Sequence, residues 1–207
     1  MKLILLRHGE TRQNIERIIQ GQTPGDLTER GVQQAKAAAQ RLKSEAIDVI
    51  YSSDLKRVRD TLQEISAYLK HEVVFTELLR ERGFGVAEGG TADEFFKLRE
   101  KHNIARVDFK PEGGESYIDV RTRVQSFFDL LRSKHAGSTV LACTHGGTIR
   151  VLVSLLLELD LDEALDIPID NTSFTTFEFT PDWRVLSHKL NCVNHLAGQV
   201  TQTGMVR

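Results

Sequence analysis

The strand that opens at Lys2 constrains the fold of this chain more than any other stretch, because its apolar run, Leu3–Leu6, stops abruptly at Arg7, His8 and Gly9. Uninterrupted apolar runs of this length are typical of strands buried on both faces of a parallel sheet. Open sheets of this kind bind ligands where their strands end. This strand end therefore predicts a binding site that contains an imidazole and a guanidinium.

A second apolar run, Thr139–Cys143, ends in a similar way, because residues 144–147 read Thr-His-Gly-Gly and Arg150 follows shortly after. Two strand ends thus offer histidine, glycine and arginine. Arginine side chains and the backbone N–H groups of glycine-rich turns are well suited to holding phosphate. The repetition predicts one shared site for a phosphorylated ligand.

The composition limits the class of protein. The 207 residues suffice for a single domain with a sizeable core, and the formal net charge of -2 indicates no overall basic surface for nucleic acid. The opening apolar run is too short for a signal peptide or a membrane span. We expect a soluble cytoplasmic protein, a monomer or homodimer, that binds a small phosphorylated substrate and has no nucleic-acid or membrane partner.

Strand and helix patterns alternate along most of the chain, which predicts an α/β fold. The expected architecture is a three-layer α/β/α sandwich with a mainly parallel central sheet and late antiparallel strands. The other predicted strands are Asp48–Tyr51, Val73–Phe75 and a hairpin of edge strands, 171–179 and 183–190. Predicted helices follow the capping residues Thr28 and Ser53 and begin at Ser116 and Gly147, and the helix after Ser53 buries Leu55, Val58, Leu62, Ile65 and Leu69.

Residues 89–115 interrupt this alternation. Thr91 and Glu94 match a capping box, which predicts a short helix to about His102 that carries Phe95 and Phe96. Aromatic residues at helical spacing usually pack against the protein body, although here they are also placed to close on a substrate. We expect residues 1–207 to form a single domain in which the excursion 89–115 is a small lid subdomain over the pocket.

The segment Leu6–Thr11, followed by Asn14, resembles the opening motif of the histidine phosphatase superfamily, the phosphoglycerate mutase-like enzymes. Further motifs recur in the family's order: Tyr51–Arg57, Leu79–Glu81, Phe84–Gly85, Glu88–Gly89, Gly113–Ser116 and Thr144–Gly147. As a set they are specific and span nearly the whole chain. Because only a short excursion separates Glu81 from Gly113, the chain resembles the compact phosphatase members more than the longer glycolytic mutases.

The resemblance implies a phosphomonoester hydrolase that acts through a phosphohistidine. In that scheme, neutral His8 attacks phosphorus, and Glu81 gives the leaving group a proton and later activates water. The groups expected to surround the phosphoryl oxygens are Arg7, Arg57 and His145. The expected substrate-binding residues are Asn14, Gln20, Gly21 and, through its backbone N–H, Gly146.

Two other chemistries fit the residues less well. A cysteine phosphatase would use Cys143 with Arg150, but six residues separate them where such a phosphate loop has five, and Cys143 falls inside an apolar strand. No local metal-ligand spacing accompanies the two histidines, and Cys143 and Cys192 are too few for a zinc site or a disulfide framework. We therefore expect no metal and no cofactor, and two buried thiols.

Two alternatives for the function remain open within the sequence. A mutase would return the phosphoryl group to a second hydroxyl, and a phosphate-binding module would keep the cations without turnover. Ala87 stands where many family members carry tryptophan, so substrate specificity does not follow from the resemblance. The candidates include sugar phosphates, phosphoserine, a nucleotide-loop phosphate of cobalamin assembly and a broad range of monoesters. Arg82 is expected to be exposed, or to recruit a further acidic group of the substrate.

Overall fold

The structure is a computed structural model that describes residues 1–66 and 71–196. The predicted helical position Leu69 lies outside these residues. The strands are β1 (Lys2–Arg7), β2 (Val49–Ser52), β3 (Val73–Phe75), β4 (Thr139–Thr144), β5 (Phe174–Phe179) and β6 (Val185–Cys192). They form one sheet in the order β3-β2-β4-β1-β5-β6, parallel from β3 to β1 and antiparallel at β5 and β6.

Helices cover both faces of this sheet. Their bounds are α1 (Arg12–Glu16), α2 (Glu29–Leu42), α3 (Lys56–Ile65), α4 (Ala92–His102), α5 (Tyr117–Lys134), α6 (Gly146–Leu157) and α7 (Leu161–Ala164). The predicted cap at Thr28 and the predicted capping box of Thr91 with Glu94 are confirmed, and Ser116, predicted as the first residue of a helix, is the N-cap of α5. The cap predicted at Ser53 is wrong, because the N-cap of α3 is Leu55, which makes no side-chain capping bond.

The alternation of side chains along β1 divides the core into two layers. Leu3 and Leu5 face the cluster that contains α5 and α6, whereas Ile4 and Leu6 face the cluster that contains α2 and α3. All four side chains are buried, as expected for a central strand covered on both faces. The predicted three-layer α/β fold with late antiparallel strands is confirmed.

The hairpin formed by β5 and β6 differs from the prediction in one respect. β5 pairs with both β1 and β6, so of the two hairpin strands only β6 lies at an edge of the sheet. The prediction that both hairpin strands are edge strands is therefore wrong for β5. The alternating sequence pattern of β5 does not distinguish an edge strand from an interior strand, because that difference depends on how many neighbouring strands pair with it.

A close contact between two glycines fixes the end of β1 against the start of α2. A Cβ atom added at Gly9 would lie 2.6 Å from the Gly31 oxygen, and one added at Gly31 would lie 2.1 Å from the Glu10 oxygen. Only glycine allows backbones to approach this closely. The segment that carries His8 is thereby held firmly before any ligand binds.

Ala92, Phe95 and Phe109 of the excursion 89–115 form a small apolar cluster with Ile19 of the loop after α1. Backbone bonds join Gly89 and Gly90 to Ile19, which ties the excursion to the loop after α1. Arg82 also lies in this region and is 2% exposed, so the prediction of an exposed arginine is wrong. Its guanidinium donates to the carbonyls of Glu115 and Phe109 and lies over the rings of Phe84 and Tyr117.

Candidate active site

The carboxyl ends of β1 and β4 lie side by side, which brings the two predicted strand ends together. Arg7 is the register partner of Thr144, and the His8 N–H donates to the Thr144 oxygen at 3.0 Å. The rings of His8 and His145 are 5.3 Å apart between centroids. A pocket opens at this point, lined among others by Arg7, His8, Arg57 and Glu81.

Hydrogen bonding fixes the tautomer of His8. Its Nδ1 lies 2.8 Å from the Gly9 oxygen, and because a carbonyl only accepts, Nδ1 carries the proton. Burial, Arg57 and Arg7 lower the pKa of His8 well below its usual range, so the ring is neutral. Nε2 therefore keeps its lone pair, and it has no hydrogen-bond partner in the described part of the chain.

Arg57 lies in the first turn of α3 and is 1% exposed. Its Nη2 and Nη1 donate to the carbonyls of Gly21 and Thr23, and its Nε donates to Nδ1 of His145 at 3.1 Å. Burial lowers the pKa of Arg57 to about 10, whereas Glu81 and Glu88 act to raise it. The guanidinium stays charged at neutral pH and has one fixed orientation beside the pocket.

The structure places His145 behind Arg57 and not among the residues that line the pocket. Because Arg57 donates to Nδ1, the proton of neutral His145 is on Nε2, which donates to the Ser53 hydroxyl at 2.8 Å. The predicted capping residue Ser53 thus orients His145. Both ring nitrogens are occupied within the protein, so His145 acts on the site through Arg57 in this geometry.

The two buried histidines predict a loss of stability in acid. Burial, with help from Arg57, lowers the pKa of both His8 and His145. In the unfolded chain each of these histidines takes up a proton at about pH 6.5, whereas in the folded protein it stays neutral at that pH. Below that pH the unfolded state binds more protons, so the free energy of unfolding should fall by about 1.4 kcal/mol per pH unit for each histidine. Calorimetric melting across this pH range measures the slope.

Two variants provide the comparison for this prediction. His145→Gln removes one buried titrating group and should reduce the slope by the contribution of one proton. His188→Gln removes an exposed histidine on β6 and should leave the slope unchanged. An unaltered slope in His145→Gln would show that His145 is not responsible for the acid lability.

Arg7 continues from β1 into the pocket. Its Nη1 donates to the Ile169 oxygen, and a Cβ atom added at Gly146 would lie 3.4 Å from its Nε. Burial and the nearby charge of Arg150 lower the pKa of Arg7 to about 10, against the opposite effect of Glu81. Arg7 therefore remains a cation at neutral pH, and together with Arg57 it surrounds His8 with positive charge.

Glu81 faces these cations from the segment after β3. Its Oε2 accepts from the Gly147 N–H at 3.0 Å and its Oε1 accepts from the Arg82 N–H at 2.9 Å. The guanidinium groups of the neighbouring Arg80 and Arg82 do not contact the carboxylate, because Arg80 pairs with Asp54 and the Arg82 guanidinium is bonded to the carbonyls of Glu115 and Phe109. The start of α6 thus sets the position of Glu81.

Two side chains that the sequence analysis did not assign support the Glu81 backbone. The Arg123 guanidinium donates to the oxygens of Leu78, Arg80 and Glu81, and Gln22 donates to the Glu81 oxygen as well. Arg123 lies on α5, which the helical pattern predicts, but a sequence pattern does not indicate which remote carbonyls a side chain reaches. These contacts hold the Glu81 segment from behind.

The contact between Gly147 and Glu81 yields a prediction. A Cβ atom added at Gly147 would lie 2.3 Å from Glu81 Oε1, so Gly147→Ala must displace the carboxylate. We expect kcat to fall by about 100-fold, as for an ~1 Å misplacement of a catalytic group, with little change in melting temperature. Steady-state hydrolysis of a phosphomonoester measures this loss.

Gly83→Ala is the matched control for Gly147→Ala. Its added Cβ atom would lie 3.4 Å from Gln22 Nε2, which that flexible side chain accommodates with little adjustment. Gly83→Ala should therefore retain nearly full kcat. Equal activity in the two variants would mean that the position of Glu81 does not matter for turnover.

The predicted substrate-binding residues also lie at the pocket, which Asn14, Gln20, Gly21 and Gly146 all line. Gln20 donates to the Thr11 hydroxyl, and its buried Oε1 has no hydrogen-bond partner within residues 1–66 and 71–196. Asn14 Oδ1 accepts from the Thr11 N–H and from Asn171. Gly146 is the first residue of α6, so its N–H belongs to the free amino end of that helix.

The alternative chemistries find little support in the described residues. Cys143 is buried within β4 and burial raises the pKa of its thiol, so the thiol is not a thiolate nucleophile. Cys143 and Cys192 are both free and buried, as predicted. Among residues 1–66 and 71–196, no cluster of three or more His, Cys, Asp or Glu side chains is arranged to hold a metal ion. None of the helices in the same ranges is both long and apolar enough to cross a membrane.

Arg150 and Tyr117 line the same pocket and were not predicted as site residues. The sequence pattern offered Arg150 only as the arginine that follows the second strand end and as the partner of Cys143 in the disfavoured cysteine phosphatase. Its position four residues after Gly146 places both on one side of α6, which is a usable signal. Tyr117 follows the predicted helix start Ser116, but nothing in its spacing indicates that it lines a pocket.

Comparisons with known proteins agree with this site. Residues 3–191 match the family described as "Histidine phosphatase superfamily (branch 1)". The chain is 35% identical over 205 residues to "Phosphoserine phosphatase 1" of Hydrogenobacter thermophilus, covering 95% of this chain and 94% of that protein. It is 33% identical over 183 residues to "Probable phosphoglycerate mutase GpmB" of Photorhabdus laumondii, covering 86% and 85%.

Among solved structures, the chain resembles that of a phosphoserine phosphatase mutant from Entamoeba histolytica in complex with phosphoserine. The TM-score is 0.79 at 32% identity, and the match covers 94% of this chain and 98% of that one. The family match extends over most of the chain and includes both strand ends that form the pocket. The chain therefore belongs to the histidine phosphatase superfamily, branch 1.

Proposed function

We propose that the protein is a phosphomonoester hydrolase that acts on a small phosphorylated metabolite through a phosphohistidine at His8. One observation carries this proposal: neutral His8, with Nδ1 bound to Gly9, leaves Nε2 as a nucleophile between Arg7 and Arg57. A phosphate-binding module would need the cations but no nucleophile in a fixed tautomer. It would also have no use for a carboxylate opposite that nucleophile.

The first step transfers the phosphoryl group to the enzyme. The lone pair of His8 Nε2 forms a bond to phosphorus, and the bond from phosphorus to the ester oxygen breaks. Arg7 and Arg57 stabilise the charge on the phosphoryl oxygens, and the N–H of Gly146 at the start of α6 donates to one of them. Protonated Glu81 gives its proton to the leaving alkoxide, which departs as an alcohol.

The second step regenerates the enzyme. The Glu81 carboxylate takes a proton from a water molecule, and that water attacks phosphorus and breaks the bond to Nε2 of His8. Inorganic phosphate leaves, and His8 is again neutral. His145 serves as a positioning residue, because its bonds to Ser53 and Arg57 hold the Arg57 guanidinium in place throughout.

A mutase is the second candidate, since several relatives are named probable phosphoglycerate mutase. The hydrolase is favoured by the relative named phosphoserine phosphatase, which aligns with 95% of this chain, against 86% for those named mutase. In this proposal residues 1–207 form a single domain, with the excursion 89–115 as a lid beside the pocket. A cytoplasmic location and a monomeric or homodimeric state remain predictions.

Phosphorus NMR of the protein with phosphoserine and, separately, with phosphoglycerate distinguishes the candidates. A hydrolase releases inorganic phosphate and leaves the free alcohol. A mutase instead converts phosphoglycerate into its positional isomer without accumulating phosphate. If neither spectrum changes while phosphate binding is retained, the protein is a binding module and the proposal is wrong.

A further inference from the structure

The pocket contains more positive charge than one phosphoryl group requires. Arg7 and Arg57 flank His8, and Arg99, Arg106 and Arg150 line the remaining wall. Arg106 is neutralised by Asp166 and Asp162, which lie outside the pocket lining. Arg150 has no such partner, because no salt bridge is formed by it in the part of the chain that the structure describes.

The donors of Arg150 are only partly used. Its Nε donates to the Ile167 oxygen at 2.7 Å, which holds the side chain in the pocket wall. Nη1 and Nη2 have no hydrogen-bond partner among residues 1–66 and 71–196. The hydroxyl of Tyr117, another pocket residue, has none in those ranges either. An anchored guanidinium with two open donors, in the same pocket as a hydroxyl, is suited to a carboxylate or phosphate.

Arg150 lies next to one of the two arginines around His8. Arg57 and Arg7 lower the pKa of His8, and the charge of Arg150 in turn lowers the pKa of Arg7. Arg150 and Arg7 are also close in space. The point where Gly146 would carry a Cβ atom lies 3.4 Å from Arg7 Nε and 3.6 Å from Arg150 Nη1. A group bound to Arg150 therefore lies near the phosphoryl site, next to Arg7.

We propose that Arg150, assisted by the Tyr117 hydroxyl, binds a second anionic group of the substrate. The substrate is then a short phosphomonoester that carries a carboxylate or another phosphate close to the phosphoryl group that is cleaved. Arg82, which the sequence offered for this role, is unsuitable because its guanidinium is already bonded to two carbonyls and covered by rings. The proposal rests on the proposed function, since it names the substrate class of the same site.

Matched substrates test this assignment. Phosphoserine and phosphoethanolamine differ by one carboxylate, and the bisphosphate and monophosphate of propanediol differ by one phosphate. In Arg150→Gln we expect kcat/KM to fall by about 10- to 100-fold for the doubly anionic member of one pair, and by less than about threefold for its partner. The pair that responds identifies the second group as a carboxylate or a phosphate.

Two further variants distinguish the proposed role of Arg150 from a general folding defect. Tyr117→Phe keeps the ring on Arg82 and removes only the hydroxyl, so it should show the same selectivity with a smaller loss. Arg121→Gln removes an exposed arginine from α5 and should leave all four substrates unaffected. If Arg150→Gln lowers kcat/KM equally for both members of each pair, Arg150 binds the reacting phosphoryl group and the proposal is wrong. It is equally wrong if no substrate is affected.

A binding measurement keeps this inference separate from the proposed activity. In the His8→Ala protein, calorimetry with the same four compounds should show tighter binding of a doubly anionic ligand, and Arg150→Gln should remove that difference. If the unaltered protein hydrolyses no ester but this selectivity is present, the hydrolase proposal fails and the Arg150 assignment stands. Equal affinities in both backgrounds would overturn the assignment.

Discussion

Replacing His8 by alanine is expected to lower kcat by about 10⁴-fold or more and to abolish the covalent phosphoryl adduct. The reason is that Nε2 of His8 is the only pocket nitrogen in our mechanism that bonds to phosphorus. Intact-mass measurement after brief mixing with a chromogenic phosphomonoester and a rapid, acid-free quench detects the adduct. Binding of inorganic phosphate should persist in His8→Ala, because Arg7 and Arg57 are unchanged.

Cys143→Ser is the control for the His8 variant. The thiol is buried in β4 and its pKa is raised by burial, so this substitution should retain both the adduct and turnover. An adduct that disappears in Cys143→Ser and persists in His8→Ala would make the cysteine the nucleophile. Absence of both adduct and turnover in the unaltered protein would favour the phosphate-binding module.

Replacing Glu81 by glutamine should produce a loss that depends on the leaving group. Glutamine can keep the hydrogen bond from Gly147 but can neither donate nor take up the required proton. We expect kcat for an alkyl phosphate to fall by about 10²- to 10⁴-fold, and by less for p-nitrophenyl phosphate, whose phenolate leaves without protonation. Burst kinetics with the nitrophenyl ester should then show slow hydrolysis of the adduct, because water activation is also impaired.

Glu77→Gln is a matched control for Glu81→Gln. The Glu77 side chain is 74% exposed and pairs with Arg80 at the surface. Its loss should therefore change kcat by no more than about twofold for either ester. Equal losses for the alkyl and nitrophenyl esters in Glu81→Gln would argue against proton donation by Glu81. In that case the carboxylate would act only by holding the start of α6.

Much of this fold can be predicted from the sequence because the sequence patterns that indicate its strands and helices are local. The apolar runs of β1 and β4 are long enough to indicate strands covered on both faces, and Thr28 and Ser116 mark helix starts by residue type. The hydrophobic pattern also assigns Leu3 and Ile4 to opposite faces, since side chains alternate along a strand. These features depend on neighbours in the chain.

The cap predicted at Ser53 shows where local reasoning stops. A serine just before a helical pattern is a good capping candidate, and the sequence contains no sign of a stronger partner. In the fold, His145 donates to the Ser53 hydroxyl from a segment 92 residues away. The burial of Arg82 was not predictable for the same reason, because the carbonyl groups that it bonds belong to Glu115 and Phe109, which are distant in sequence.

The sequence by itself determined the layered fold, both strand ends and the residues Arg7, His8, Arg57 and Glu81 as candidates. Only the tertiary structure decided how they are arranged: the tautomer of His8, the place of His145 behind Arg57, and the open donors of Arg150 in the pocket wall. Residue type and periodicity act over one or two turns of chain. Hydrogen-bond partners and charge neighbours are set by segments that meet only when the sheet has assembled.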